Sequence, residues 1–238
     1  MTNRQSNIIF YSVISLIIFA VILNYTNPEI FENLTKSKKE ISIEEAIDKG
    51  EYKAALYIYQ QLADEKIRAN DENTIETATI FQDIANLYSL LGNKDEEINY
   101  YLKALNIKKQ LTEVDVYGIV RIYDKLGSLA EEDKQFDQAQ MYYEKSLEGK
   151  LGTAREEDDG LFVGMMNTRT KYLRLNNEET IATFKKLGEI HNIKAEYSIA
   201  KKYYEKALAA SKLTFGEDDV KTLEIMNLMN TSDGLSLD

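Results

Sequence analysis

An all-α solenoid of helical hairpins behind a single N-terminal transmembrane helix is the fold this sequence predicts, and three observations carry it. A heptapeptide recurs as Tyr100-Tyr-Leu-Lys-Ala-Leu-Asn106, Tyr142-Tyr-Glu-Lys-Ser-Leu-Glu148 and Tyr203-Tyr-Glu-Lys-Ala-Leu-Ala209, with a weaker copy, Ile58-Tyr-Gln-Gln-Leu-Ala63, 42 residues before the first. Self-similarity at such a period marks units that bury their apolar faces only against their neighbours. One proline and eleven glycines in 238 residues, with abundant Leu, Ile, Ala, Glu and Lys, favour long helices over turn-rich folds. Ile8 to Leu23 is an uninterrupted run of sixteen uncharged, mostly apolar residues.

Residues 1–7 form a polar tail, and residues 8–25 read as the anchor. Sixteen residues at ~1.5 Å each give ~24 Å, short of the ~30 Å hydrocarbon core, and Tyr25 with the polar flanks completes the span at the interface. Val21-Ile-Leu-Asn-Tyr25 lacks the small residues of a cleavage site, so the helix is expected to be retained. Residues 26–40 follow as a polar linker in which Pro28 ends the anchor. Arg4 and the terminal amine lie close ahead of the apolar run, whereas Lys36 and Lys38 lie well behind it. The positive-inside rule therefore keeps the N-terminus on the cytoplasmic or matrix side and sends the repeats to the extracytoplasmic or intermembrane-space side. The alternative is an outer mitochondrial membrane protein facing the cytosol.

From residue 41 to 230 the pattern is hairpins. Tyr52, Phe136 and Tyr197 share one position, with Lys94 the exception, and Ala55, Ala139 and Ala200 share another, with Glu97 the exception. In the preceding helices Phe81, Tyr123 and Phe184 align, followed by Ile84, Leu126 and Leu187 and then by Ala85, Gly127 and Gly188. A large residue followed at i+3 and i+4 by a branched residue and a small one lays an apolar stripe with a notch for the partner helix. The third and fourth copies lie 61 residues apart, and the extra length reads as one more helix near 160–175. Asp218 or Asp219 would cap a last helix from about Val220 to Met229, leaving residues 231–238 as a flexible tail.

The aligned positions resemble the framework of the tetratricopeptide repeat (TPR) family, and the 42-residue spacing is similar to the kinesin-light-chain subclass. The loop Phe215-Gly-Glu-Asp-Asp-Val-Lys-Thr-Leu223 looks like the one that introduces the next helix there. The resemblance implies that first helices line a concave groove. It places Gln82, Asn86, Arg121, Asp124, Lys125, Lys185, Lys186 and Glu189 in that groove as partner-binding candidates. In the carboxylate-clamp subset of the family, Arg121 and Lys125 match two clamp positions while Glu40, Glu44 and Asp83 fall on the others. Acids where an anion must sit argue against a clamp.

Other chemistry finds little support. The net charge is −11, and about −12 beyond residue 40, without a basic cluster, which disfavours nucleic acid as a partner. There is no cysteine. The acidic runs Glu156–Asp159 and Glu217–Asp219 lack the donor spacing of a calcium loop and read as helix caps. His191, the single histidine, falls on a packing position with no nucleophile and acid assembled near it. No Gly-rich phosphate loop or catalytic triad order is present. The expected protein is therefore a scaffold or adaptor rather than an enzyme. It needs no cofactor, metal or small-molecule substrate, binds other proteins through the groove, and joins the membrane through Ile8–Tyr25. Such a layout is similar to membrane-bound adaptors of assembly or quality control, and a stoichiometric structural subunit of a membrane complex is the alternative.

Overall fold

Long runs of good helix formers, broken only at short polar turns, become nine α-helices among the described residues. They are α1 (Lys38–Asp48), α2 (Tyr52–Arg68), α3 (Ile75–Leu90), α4 (Lys94–Gln110), α5 (Val116–Glu132), α6 (Phe136–Leu151), α7 (Glu178–Ile193), α8 (Tyr197–Thr214) and α9 (Val220–Leu235). The structure is a computed structural model that describes residues 38–111, 115–151 and 178–235. The expected anchor at 8–25, most of the linker and the extra helix near 160–175 lie outside those residues. Among the described residues no helix is long and apolar enough to cross a membrane.

The chain divides into two compact units at Gln61 and Leu62, a boundary inside α2. In the first, Ile43 and Ala46 of α1 and Ala55 and Leu56 of α2 are the buried apolar residues. Helix α1 begins at Lys38, three residues ahead of the expected start, and is only 11 residues long. In the second unit α3 packs on α4, α5 on α6, and α7 on α8, while α9 closes against α8.

The heptapeptide is explained residue by residue by these hairpins. Its first tyrosine meets the aromatic of the preceding helix: Phe81 and Tyr100 lie 5.8 Å apart edge to face, Tyr123 and Tyr142 6.3 Å, Phe184 and Tyr203 6.5 Å. Its second tyrosine, Tyr101, Tyr143 or Tyr204, is buried. The rings of Tyr143 and Tyr204 lie on Gly127 and Gly188, so close that a methyl group there would fall 2.8 Å and 2.6 Å from ring carbons. In the α3–α4 hairpin Ala85 stands at that place, and the Tyr101 hydroxyl donates to Asn86 Oδ1 at 2.6 Å. The heptapeptide lysine covers the aromatic pair: Lys103 Nζ is 4.4 Å from the Tyr100 ring centre, and Lys206 Nζ is 5.6 Å from that of Tyr203. Ala104, Ser146 and Ala207 are fully buried where the backbones approach. Large against small is how helices interdigitate at the density of a protein interior.

The turns inside the hairpins share one hydrogen-bond pattern. Gly92 N–H reaches the Ser89 carbonyl at 3.0 Å and Asn93 N–H the Tyr88 carbonyl at 2.9 Å, which satisfies the last carbonyls of α3. The same pair closes α5 through Lys134 and Gln135, and α7 through Ala195 and Glu196. Each pattern needs a left-handed residue, Gly92 at φ 71°, Lys134 at 58° and Ala195 at 59°. At helix starts, Thr74, Asn93 and Asp115 accept from backbone N–H groups three residues on. Asp219 caps α9 through Lys221 N–H at 2.8 Å. That helix runs to Leu235 rather than ending near Met229, so residues 231–235 are helix and not tail. Ser232 near its end is 1% exposed.

His191 is 4% exposed, stacked on Tyr203 at 5.3 Å, with Nδ1 2.5 Å from Glu196 Oε2. It fills the space beside the aromatic pair and ties the end of α7 to the turn that follows.

The close approach at Gly188 yields a test against propensity. Alanine is the better helix former by about 1 kcal/mol, yet forcing a methyl into a filled core costs about 1–3 kcal/mol. Gly188→Ala should therefore lower stability in denaturant titration, whereas adding Tyr204→Leu should recover part of the loss. A Gly188→Ala protein more stable than the parent would remove the tyrosine-on-glycine contact as the spacing element.

Candidate functional site: the α5–α7 face

The site is built from two helices that present the same spacing. Arg121, Asp124, Lys125 and Ser128 of α5 recur at i, i+3, i+4 and i+7, as do Glu179, Ala182, Thr183 and Lys186 of α7. With Tyr143 and Lys150 of α6 they line an open pocket of about 390 Å³. Four of the residues expected in a groove, Arg121, Asp124, Lys125 and Lys186, are thus brought together. The others are elsewhere. Gln82 and Asn86 lie on α3 and do not line the pocket, and Asn86 receives the Tyr101 hydroxyl. Lys185 reaches Glu224 of α9 at 2.9 Å. Glu189 stands 3.3 Å from Lys186.

The floor is a buried ion pair. Lys150, whose side chain is 6% exposed, donates to both Asp124 oxygens at 2.7 and 3.0 Å, to Thr183 Oγ1 at 2.6 Å and to the Glu179 carbonyl at 3.3 Å. Ser146 Oγ donates to Asp124 Oδ1 at 2.5 Å. Three helices are therefore fastened at one ammonium. Beside it, Glu131 accepts from the Tyr143 hydroxyl at 3.0 Å and from Lys186 at 2.9 Å. Burial and the Glu131 carboxylate push the Tyr143 phenol far above its ordinary range, so it stays protonated. Burial works against the Lys186 ammonium, but its bonds to Glu131 and Glu189 outweigh that and hold it charged above the ordinary lysine value. At the mouth, Arg121 and Lys125 are exposed, one turn apart. The exposed Tyr117 ring lies 5.8 Å from the Arg121 guanidinium.

Lys150 belongs to a series that the motif reading passed over. Lys66, Lys108 and Lys150 recur every 42 residues, near the end of each second helix. Lys66 reaches Asp71 at 2.8 Å and also Glu76, and Lys108, 2% exposed, reaches Asp115 at 2.7 Å. In the fourth hairpin the equivalent residue is Ser211, bonded to Thr222 at 2.8 Å. Each of these contacts reaches past its own helix to the chain that begins the next one. Among the described residues no group of His, Cys, Asp and Glu is arranged to hold a metal.

Two predictions follow from the buried lysines. Removing one partner of a buried pair leaves the other uncompensated, at about 3–5 kcal/mol in full burial. Asp124 keeps a third of its exposure, so Lys150→Met should cost about 2–3 kcal/mol, and Lys150→Met with Asp124→Leu should cost less than the single change. A double variant as unstable as the single one would remove the unpaired carboxylate as the cause. Asp115 is desolvated by its own burial, yet the Lys108 bond and the Gly118 N–H outweigh this and hold its carboxyl below the ordinary range. A depressed acid contributes stability above its unfolded value, and that stability is lost as pH falls through the folded one. Asp115→Asn should therefore destabilise at neutral pH, and parent and variant should converge in acid. A gap in unfolding midpoint that does not narrow on acidification would contradict this.

Comparison with known proteins bears on the hairpins themselves. The family model of the tetratricopeptide repeat matches residues 78–111 and 120–148, which are α3–α4 and α5–α6. No curated protein matches the sequence at a significant level. Among solved structures, BtubC (BKLC) from P. vanneervenii is 18% identical with a TM-score of 0.53, covering 85% of this chain and 68% of that one. A kinesin-light-chain-type protein of Podosopora anserina, built from nearly identical TPR-like repeats, is 10% identical with a TM-score of 0.57, covering 82% of each chain. At such identities the likeness is one of fold. The two hairpins α3–α4 and α5–α6 are tetratricopeptide repeats, in a chain whose described residues are helical throughout and include no strand.

Proposed function

We propose that this protein is a membrane-tethered TPR scaffold that holds a segment of another protein against the α5–α7 face. The observation that carries the reading is the make-up of that pocket. Asp124 and Lys150 answer each other, and Lys186 is answered by Glu131 and Glu189, while Arg121 and Lys125 stand exposed, Arg121 with the Tyr117 ring 5.8 Å away and Lys125 facing Glu97. A rigid floor with exposed cations and an aromatic at its rim suits an extended or helical segment carrying carboxylates.

Tethering rests on the uncharged run from Ile8 to Leu23, and a scaffold held at one bilayer fits work on membrane complexes, in their assembly or quality control. Arg4 close ahead of that run, against lysines beginning thirteen residues behind it, supports repeats on the extracytoplasmic or intermembrane-space side.

A photo-crosslinking residue at Ser128, introduced in the native membrane and read by mass spectrometry, tests the face. Arg121→Glu with Lys125→Glu should lower the cross-linked yield at least tenfold, about 1.4 kcal/mol, with the helical circular dichroism unchanged. An undiminished yield would exclude the rim as the docking surface. A neighbour that stays bound at fixed ratio through high salt and mild detergent would instead make the chain a stoichiometric subunit. Deleting residues 8–25 should move the protein to the soluble fraction, and persistence in the membrane pellet would reject the tether. Protease that digests the repeats before the outer barrier is opened would reject the proposed side.

A further inference from the structure

A charged side chain occupies a place that the other hairpins reserve for alanine. Ala55, Ala139 and Ala200 are each fully buried where two helices approach, and in α4 the same position is Glu97, 5% exposed. We infer that Glu97 makes the joint of α3, α4 and α5 respond to protons, tightening when its carboxyl is protonated and loosening when it ionises.

Burial works against the Glu97 anion, although several neighbours favour it. From α3 the Ser89 hydroxyl donates to it, which supports the ionised form. From α5 it faces Lys125, a favourable charge, and Glu132, a repulsive one. On its own helix it faces Lys94 and the buried Tyr101 phenol. Lys94 is already engaged by Asp133 at 2.7 Å and Glu132 at 3.1 Å. Three carboxylates therefore share two ammonium groups, and the most buried of the three is the one nearest the helix crossing. Protonating Glu97 removes a desolvated charge and the repulsion from Glu132, which together outweigh the lost support of Ser89, Lys125 and Lys94. Desolvation accordingly raises its pKa above the ordinary glutamate value.

The sign follows from linkage. An acid whose folded pKa is raised destabilises the fold when ionised, so its penalty is complete above the folded value. That penalty disappears below the unfolded value. Lys125 carries the effect outward, because it faces Glu97 and also lines the α5–α7 pocket. A joint that loosens as Glu97 ionises therefore changes the position of a pocket residue without any ligand.

Hydrogen exchange of the full chain in detergent micelles, followed peptide by peptide from pH 4 to pH 8 and corrected for intrinsic rates, tests the inference. Peptides of α3, α4 and the end of α5 should exchange more slowly in Glu97→Gln than in the parent at pH 8. The two proteins should converge at pH 4. Glu97→Ala, which installs the residue of the other hairpins, should show the same protection at pH 8, and peptides of α7 and α8 should be unaffected in both. A gap that stays constant across the range, or faster exchange in both variants at pH 8, would overturn it.

Discussion

In the α5–α6 and α7–α8 hairpins the distance between the two helices is set by a tyrosine ring resting on a residue with no side chain. At Gly127 and Gly188 the ring carbons of Tyr143 and Tyr204 occupy the volume in which a methyl group would stand. Helices held this close bring the flanking aromatics within stacking reach, so Tyr142 meets Tyr123 and Tyr203 meets Phe184. The same spacing leaves room only for small residues where the backbones cross, which is why Ala104, Ser146 and Ala207 are fully buried. Short turns with a left-handed residue then become the available connection, and Lys134 and Ala195 accept that conformation although neither is glycine. The heptapeptide is thus one contact written out in residue types.

Between hairpins a different device operates. A lysine stem is long enough to leave one helix and reach the start of the next, and its methylenes pack along the way while the ammonium finds a carboxylate. Lys108 and Lys150 are almost wholly buried in doing so. A buried ion pair adds little net stability compared with apolar packing, but a misplaced one is expensive. Such pairs therefore select one seating of a hairpin on its neighbour. The fourth hairpin replaces the pair by two hydroxyls, Ser211 and Thr222, which satisfy each other at 2.8 Å without charge.

How much of this was legible follows from how regular each partner is. The tyrosine, alanine and glycine positions repeat because both sides of the contact repeat, so sequence alignment alone locates α3 to α8 and their notches. The lysines recur at the same period, yet their partners are Asp71 and Glu76, then Asp115, then Asp124 with Thr183, so no paired motif announces them. Helical spacing also places Arg121, Asp124, Lys125 and Lys186 on a common face. It cannot say that Asp124 is committed to Lys150, because that depends on a side chain reaching across from α6. For the same reason Lys185, adjacent to Lys186, turns to Glu224 instead of the pocket. Helix α9 continues past Met229 to Leu235 with Ser232 buried, and burial is a tertiary property that local propensity does not register.

Helix α9 shows how the pattern is interrupted. In register with the first helices of the other hairpins, Asn230 stands where Gly127 and Gly188 receive a tyrosine, and Met226 where Tyr123 and Phe184 receive an aromatic. An asparagine side chain at that position occupies space that a ring seated as on Gly127 and Gly188 would enter to within about 3 Å. Ile225 remains 2% exposed on the side facing back into the array, as Ile122 is at the same register, fully buried. Leu223, by contrast, is 43% exposed where Val120 and Ile181 are 3% and 4%. The helix therefore keeps the face that packs on α8 and gives up the one that would accept a partner of its own, with Glu224, Asn227 and Asn230 exposed along it. At Asn230 the tyrosine-on-glycine contact of the α5–α6 and α7–α8 hairpins has no place to form.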